Sequence, residues 1–156
     1  MFPWKLHTMK NGLRVGIVGI VTDYVNIWEK EENLKGIHIT DPFEAAKNAL
    51  AQMKEQTDLT ICIYHGGFEC DLESGETLSQ TTENVGYRIC KELDFDILLT
   101  GHQHMSVPGR DISGTYTVQP CDNAKEYQYL EVTMTDHEKS IRSELRQSDA
   151  AKGTVL

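Results

Sequence analysis

Three short, almost wholly apolar runs constrain this chain most: residues 13–21, 59–64 and 97–100. Each is rich in Val, Ile and Leu, with little polar alternation, as expected of strands buried on both faces of a sheet. Between the first two, Asp41-Pro42-Phe43-Glu44 announces a helix, with Asp as N-cap, Pro in the first turn and Glu three residues on. Phe43, Ala46, Leu50 and Met53 then recur at helical spacing. Between the second and third runs, Val85, Ile89 and Leu93 mark a shorter amphipathic helix. Strand, helix, strand, helix, strand is the order of an α/β layered domain. Residues 5–9 are expected to be extended and to join the first run through an Asn11-Gly12 two-residue hairpin turn. A short strand is expected at 37–39, with irregular connections at 24–35 and 68–82. Residues 115–118, 127–134 and 140–145 alternate between turn residues and read as antiparallel strands. The sheet is therefore expected to be mixed, and residues 149–156 to form a frayed tail.

With 156 residues and 17.7 kDa the chain is one domain or a piece of one. It carries 15 Lys and Arg against 24 Asp and Glu, a formal charge of −9. That balance argues against a nucleic-acid polymer as partner, since neutralising phosphates takes clustered cations. No apolar run reaches the roughly 18 residues of a membrane span. The first residues lack the pattern of an export signal, and the compartment is left open. Cys62, Cys70, Cys90 and Cys121 are scattered without a CxxC pair, so plain reduced thiols are expected.

Six histidines remain to be placed. His7, His38 and His137 have no partner pattern and take the ordinary structural or solvated reading. His65 follows the second apolar run and precedes Gly66-Gly67; His102 and His104 follow the third, in Gly101-His102-Gln103-His104. Ligands of open α/β sheets bind at the carboxyl ends of the strands, so these loops are expected on one rim. Two imidazoles separated by one residue can diverge toward two metal ions about 3.5–4 Å apart, the spacing of two-metal hydrolytic sites. His65, His102 and His104 are thus the candidate metal ligands. Glu69, Asp71, Glu73 and Glu76 read as a solvated acidic loop, and Asn84 and Tyr87 as capping or packing residues.

Three stretches carry a family resemblance: Ile63-Tyr64-His65-Gly66-Gly67-Phe68-Glu69, Glu83-Asn84-Val85-Gly86-Tyr87 and Leu98-Leu99-Thr100-Gly101-His102-Gln103-His104. In this order they resemble the later half of the calcineurin-like metallophosphoesterase domain, in its bacterial 5′-nucleotidase and 2′,3′-cyclic-nucleotide 2′-phosphodiesterase branch. The match runs from about Trp4 to Leu145. It implies part of a four-layer α-β-β-α domain, with residues 1–148 as the C-terminal half of the catalytic domain. It also implies two divalent metal ions (zinc, manganese, iron or similar), with His65 and His102 on one and His104 on the other. The substrate implied is a nucleotide or another small phosphate ester, attacked by activated water.

The Asp-x-His, GD and GNH[D/E] motifs of the family's first half do not occur in these residues. The resemblance then implies half an active site. It further implies strands outside this sequence that pair with 13–21 and 59–64, and a piece open to self-association or to pairing with the missing N-terminal half. The competing readings are a non-catalytic relative serving as an interaction or subunit module, and a histidine-only zinc-binding module.

Overall fold

The computed structural model describes residues 3–135 and 138–148. His137 and the 149–156 segment lie outside them. A six-stranded mixed sheet runs in the order β1-β2-β3-β4-β6-β5, and β7 and β8 form a separate two-stranded sheet. β2 (Arg14–Val21), β3 (Leu59–His65), β4 (Ile97–Leu99) and β6 (Thr115–Gln119) are mutually parallel. β1 (Lys5–Thr8) and β5 (Val107–Ile112) flank them antiparallel. The expected α/β class with a mixed sheet is what the chain adopts.

α2 (Pro42–Met53) starts as its sequence requires. Asp41 Oδ1 accepts the Glu44 N–H at 2.9 Å, satisfying one of the four orphan donors of the first turn. Its buried face is Phe43, Ala46, Ala49, Leu50 and Met53. Side chains alternate across a strand, so Val18, Cys62, Tyr64 and Leu98 meet this helix and α3 (Gly86–Glu92) in one core. The opposite face carries Val15, Leu59 and Ile97, covered by Leu130, Val132, Met134 and Ile141 of the hairpin β7 (Glu126–Met134) and β8 (Lys139–Gln147). Tyr116 Oη to Ser143 Oγ (3.0 Å) and the Lys139–Asp96 ion pair fasten that hairpin down. Toward the strand tips the cover stops: Ile63 is 47% exposed and Gly19 is exposed.

Six expectations are corrected. Residues 115–118, expected in an antiparallel strand, form β6, which is antiparallel to β5 but parallel to β4. The first apolar run is buried on both faces only in part, for the cover just described. Neither 13–21 nor 59–64 is an edge awaiting a strand, because β2 sits between β1 and β3 and β3 between β2 and β4. No strand forms at 37–39: Asn26 Nδ2 donates to Ile39 O (2.8 Å) and its Oδ1 accepts the Ile39 N–H (3.2 Å), replacing ladder bonds. The β1–β2 turn is longer than two residues, closed by Met9 N–H to Leu13 O at 2.8 Å with Gly12 at φ 90°. The segment expected to be irregular contains a single helical turn, α1 (Val25–Trp28).

Arg14 reaches both Asp58 oxygens, Nη2 to Oδ1 at 2.6 Å and Nε to Oδ2 at 3.2 Å, and its N–H donates to Oδ2 at 2.9 Å. These bonds lower the Asp58 carboxyl to about 2, against roughly 3.9 in an unfolded chain. Folding therefore favours the ionised form. The stabilisation is complete above the unfolded value and is lost as pH falls through the folded one. The wild-type urea midpoint is expected to drop between about pH 4 and pH 2 by a component that D58N lacks. Parallel midpoint–pH curves for the two chains would refute it.

Candidate metal centre

The rim is built by loops that leave parallel strands side by side. β2 and β3 pair in register to Val21↔His65, and Thr22 N–H donates to His65 O at 3.0 Å. β3 pairs with β4, so the loop after β4 emerges beside the one after β3. The two loops are welded together. Gly101 N–H donates to Gly66 O (3.1 Å). Gln103 acts as a clip, with Oε1 accepting the Phe68 N–H (2.7 Å) and Nε2 donating to Phe68 O (3.0 Å). Asn84 Oδ1 accepts the buried Gly67 N–H at 2.7 Å. Space explains the two glycines after His65: a Cβ on Gly66 would overlap the buried Tyr64 ring, and one on Gly67 would overlap the Gln103 amide.

This frame brings two of the three candidate histidines together. The rings of His65 and His102 stand edge to face with centroids 5.4 Å apart. His102 Nε2 lies 2.9 Å from Glu83 Oε1, and the Trp28 indole stacks on the ring with centroids 5.0 Å apart at 26°. His104 is exposed. Both His102 (φ 73°) and His104 (φ 56°) hold the left-handed backbone conformation that non-glycine residues rarely adopt. Such conformations cost of order 1–3 kcal/mol each and cluster at functional sites.

The acidic loop divides into distinct jobs. Glu69 caps α3, its oxygens accepting the N–H groups of Tyr87 (3.0 Å) and Arg88 (2.6 Å). Burial pushes its carboxyl up against those bonds. Asp71 Oδ1 closes a turn through the Glu73 and Ser74 N–H groups. Asn84 ties the Gly67 backbone, as described. Glu83 and Trp28 are the residues that sequence reasoning passed over. Glu83 stands in the second resembling stretch, but nothing in its local spacing points to His102. Burial raises the Cys90 thiol to about 12 and also raises the Cys62 thiol, so both are inert at neutral pH.

The donor chemistry suits a divalent cation in part. Two imidazoles meet at one rim, and one of them gives its second nitrogen to a carboxylate, the usual outer-shell arrangement of a metal-bound histidine. Asp23, next to Thr22 at the adjacent strand tip, has a buried Oδ1 with no hydrogen-bond partner, an atom that positive charge would satisfy. Among the described residues, no three His, Cys, Asp or Glu side chains are grouped closely enough to hold a metal. The pair supplies part of a coordination shell. Also among the described residues, no helix is long and apolar enough to cross a membrane.

No protein-family model matches the chain. Over 103 residues, 65% of its length, it is 29% identical to a 2′,3′-cyclic-nucleotide 2′-phosphodiesterase/3′-nucleotidase of Salmonella typhimurium, of which it spans 15%. It is 22% identical over 146 residues to YunD, an uncharacterized metallophosphoesterase of Bacillus subtilis, spanning 27% of it. Among solved structures, a Staphylococcus aureus protein assigned as a 5′-nucleotidase superposes with a TM-score of 0.85 at 30% identity. That match covers 93% of this chain and 29% of the other. The chain thus spans less than a third of the length of each of these proteins.

Proposed function

Since this chain is homologous to nucleotide phosphoesterases of the 5′-nucleotidase and 2′,3′-cyclic-nucleotide phosphodiesterase group, we propose that it forms the histidine-bearing part of a metal-dependent phosphoester hydrolase. The observation that carries this reading is the meeting of His65 and His102 at adjacent strand tips, rings 5.4 Å apart. His65 and His102 hold one divalent cation, and His104 contributes to a second. When bound, such a pair supplies positive charge to the phosphoryl oxygens and activates water for in-line attack. The chain's own part is to fix the donors: the Gln103 clip ties the loop carrying His102 and His104 to the one that follows His65. Cations at the rim would draw an anionic nucleotide to a protein of charge −9.

Two grouped donors among the described residues do not fill a coordination shell, so further ligands are required, from the unpartnered Asp23 carboxylate at the adjacent strand tip or from other polypeptide of the same protein or a partner. The partly uncovered face around Ile63 and Gly19 suits such a neighbour. The incomplete donor set also favours a second reading, in which the piece is a non-catalytic subunit or interaction module.

Titration of the 156-residue chain with Mn²⁺ and Zn²⁺ by calorimetry tests the first reading, together with hydrolysis of 2′,3′-cyclic AMP and 5′-AMP by the chain and by its longest natural reading frame. H65A and H102A are each expected to weaken cation binding at least about tenfold and to abolish whatever hydrolysis the parent shows. Cation binding indifferent to both substitutions would overturn the metal reading. Binding without turnover in the longest reading frame would favour the non-catalytic module.

A further inference from the structure

We propose that Trp28 and Glu83 are positioning residues for His102, gripping its imidazole on two sides so that Nδ1 is the ring atom presented to a divalent cation. The proposal rests on the metal reading above and adds to it the means by which one ligand is oriented. His102 sits in a loop at φ 73°, beyond the last residue of β4, so no neighbouring strand limits its rotamer. Three contacts take the place of that support. The indole of Trp28 lies nearly parallel to the ring at 5.0 Å, which confines its plane. Glu83 Oε1 stands 2.9 Å from Nε2, which confines rotation within that plane and fixes the tautomer with the proton on Nε2. His65 adds an edge-to-face contact with the same ring at 5.4 Å. With Nε2 engaged, Nδ1 is the nitrogen left for a metal.

Each gripping residue is itself anchored, as a positioning role demands. The Glu83 carbonyl accepts hydrogen bonds from Thr22 Oγ1 (2.7 Å) and Tyr64 Oη (3.2 Å), so the carboxylate projects from a backbone tied to the tips of β2 and β3. Trp28 closes the single turn of α1 through its N–H to Tyr24 O (3.0 Å), with the Tyr24 ring edge-on at 5.9 Å. The Asn26 amide pins that turn to the Ile39 backbone. Trp28 nevertheless remains 48% exposed. A large indole left half in water adds little to the core, and its recorded ring partners are Tyr24 and His102. Restricting the imidazole before a cation arrives removes ordering cost from binding, and the carboxylate raises the basicity of the ligand.

The indole also supplies a test that a merely structural role would not satisfy. The chain holds two tryptophans, so W4F leaves Trp28 as the sole indole. Titrating W4F with Co²⁺, a paramagnetic cation, is expected to quench Trp28 emission saturably, at the concentrations where calorimetry reports binding. In the wild-type background, W28A and E83Q are each expected to weaken Co²⁺ binding about tenfold, the lower end for outer-shell partners. W28F keeps a flat ring over His102 and is expected to stay within about threefold of wild type, with circular dichroism confirming that all variants fold. If H65A and H102A abolish binding while W28A and E83Q leave it unchanged, the grip is refuted and the metal reading stands. If H65A and H102A bind Co²⁺ like wild type, the metal reading fails and the grip falls with it. Saturable binding that leaves Trp28 emission untouched would place the cation away from His102 and likewise overturn the proposal.

Discussion

G66A is expected to destabilise the 156-residue chain by about 3 kcal/mol or more, the upper range for forcing extra volume into a packed interior. The added methyl would overlap the ring of Tyr64, which is 1% exposed and has no room to yield within a close-packed core. Moving the ring also costs the hydrogen bond from Tyr64 Oη to Glu83 O, and through it the seat of the carboxylate beside His102. A domain of this size loses roughly 2–4 °C of melting temperature per kcal/mol, so G66A should melt some 6–12 °C lower. G19A is the control. A Cβ there meets nothing within 4 Å, and trading glycine for alanine in a strand lowers the entropy of the unfolded chain. It is expected to be neutral or slightly stabilising. Melting curves that rank the two variants equally would show that the Tyr64–Gly66 contact does not constrain the loop.

What the sequence disclosed follows from how local each determinant is. The start of α2 was legible because Asp41, Pro42 and Glu44 act on one turn of backbone. β2, β3 and β4 were legible because a strand covered on two sides needs an apolar run whatever its partners; the parallel pairing of the threonine-rich β6 with β4 was not. Nor was β5: Pro108 and Gly109 interrupt any apolar run, yet Pro is tolerated at a sheet edge, and the register shift between Val107 and Arg110 absorbs the irregularity. His65 and His102 could be singled out because each closes a buried strand beside glycine. The indole and carboxylate around His102 could not, since their role exists only once three loops distant in sequence reach one rim. Glu69 looked like one acid in a solvated loop because nothing in the sequence announces a cap reaching a helix so far along the chain.

The same geometry makes the two faces of the sheet unequal, and a pair of truncations measures by how much. Leu98 is fully buried in β4 against the helical layer, while Ile63, on neighbouring β3 and the opposite face, is 47% exposed. L98A removes three carbons from a site that strands on both sides prevent from collapsing, so both the transfer and cavity costs apply. The expected loss is about 2–5 kcal/mol. Against a typical total of about 5–15 kcal/mol, that removes a large share of the stability. I63A removes the same number of carbons from a side chain only half withdrawn from water and leaves no closed cavity. It is expected to cost about 1 kcal/mol. The difference also bears on the candidate metal site, because the loop carrying His102 leaves β4 just beyond Leu98. Loosening that strand should lower protection of the Gly101 amide, which is bonded to Gly66 O, whereas I63A should spare it. Urea unfolding with hydrogen exchange read at Gly101 checks both expectations. If I63A costs as much as L98A, the face around it is packed rather than open, and the room left there for further polypeptide disappears.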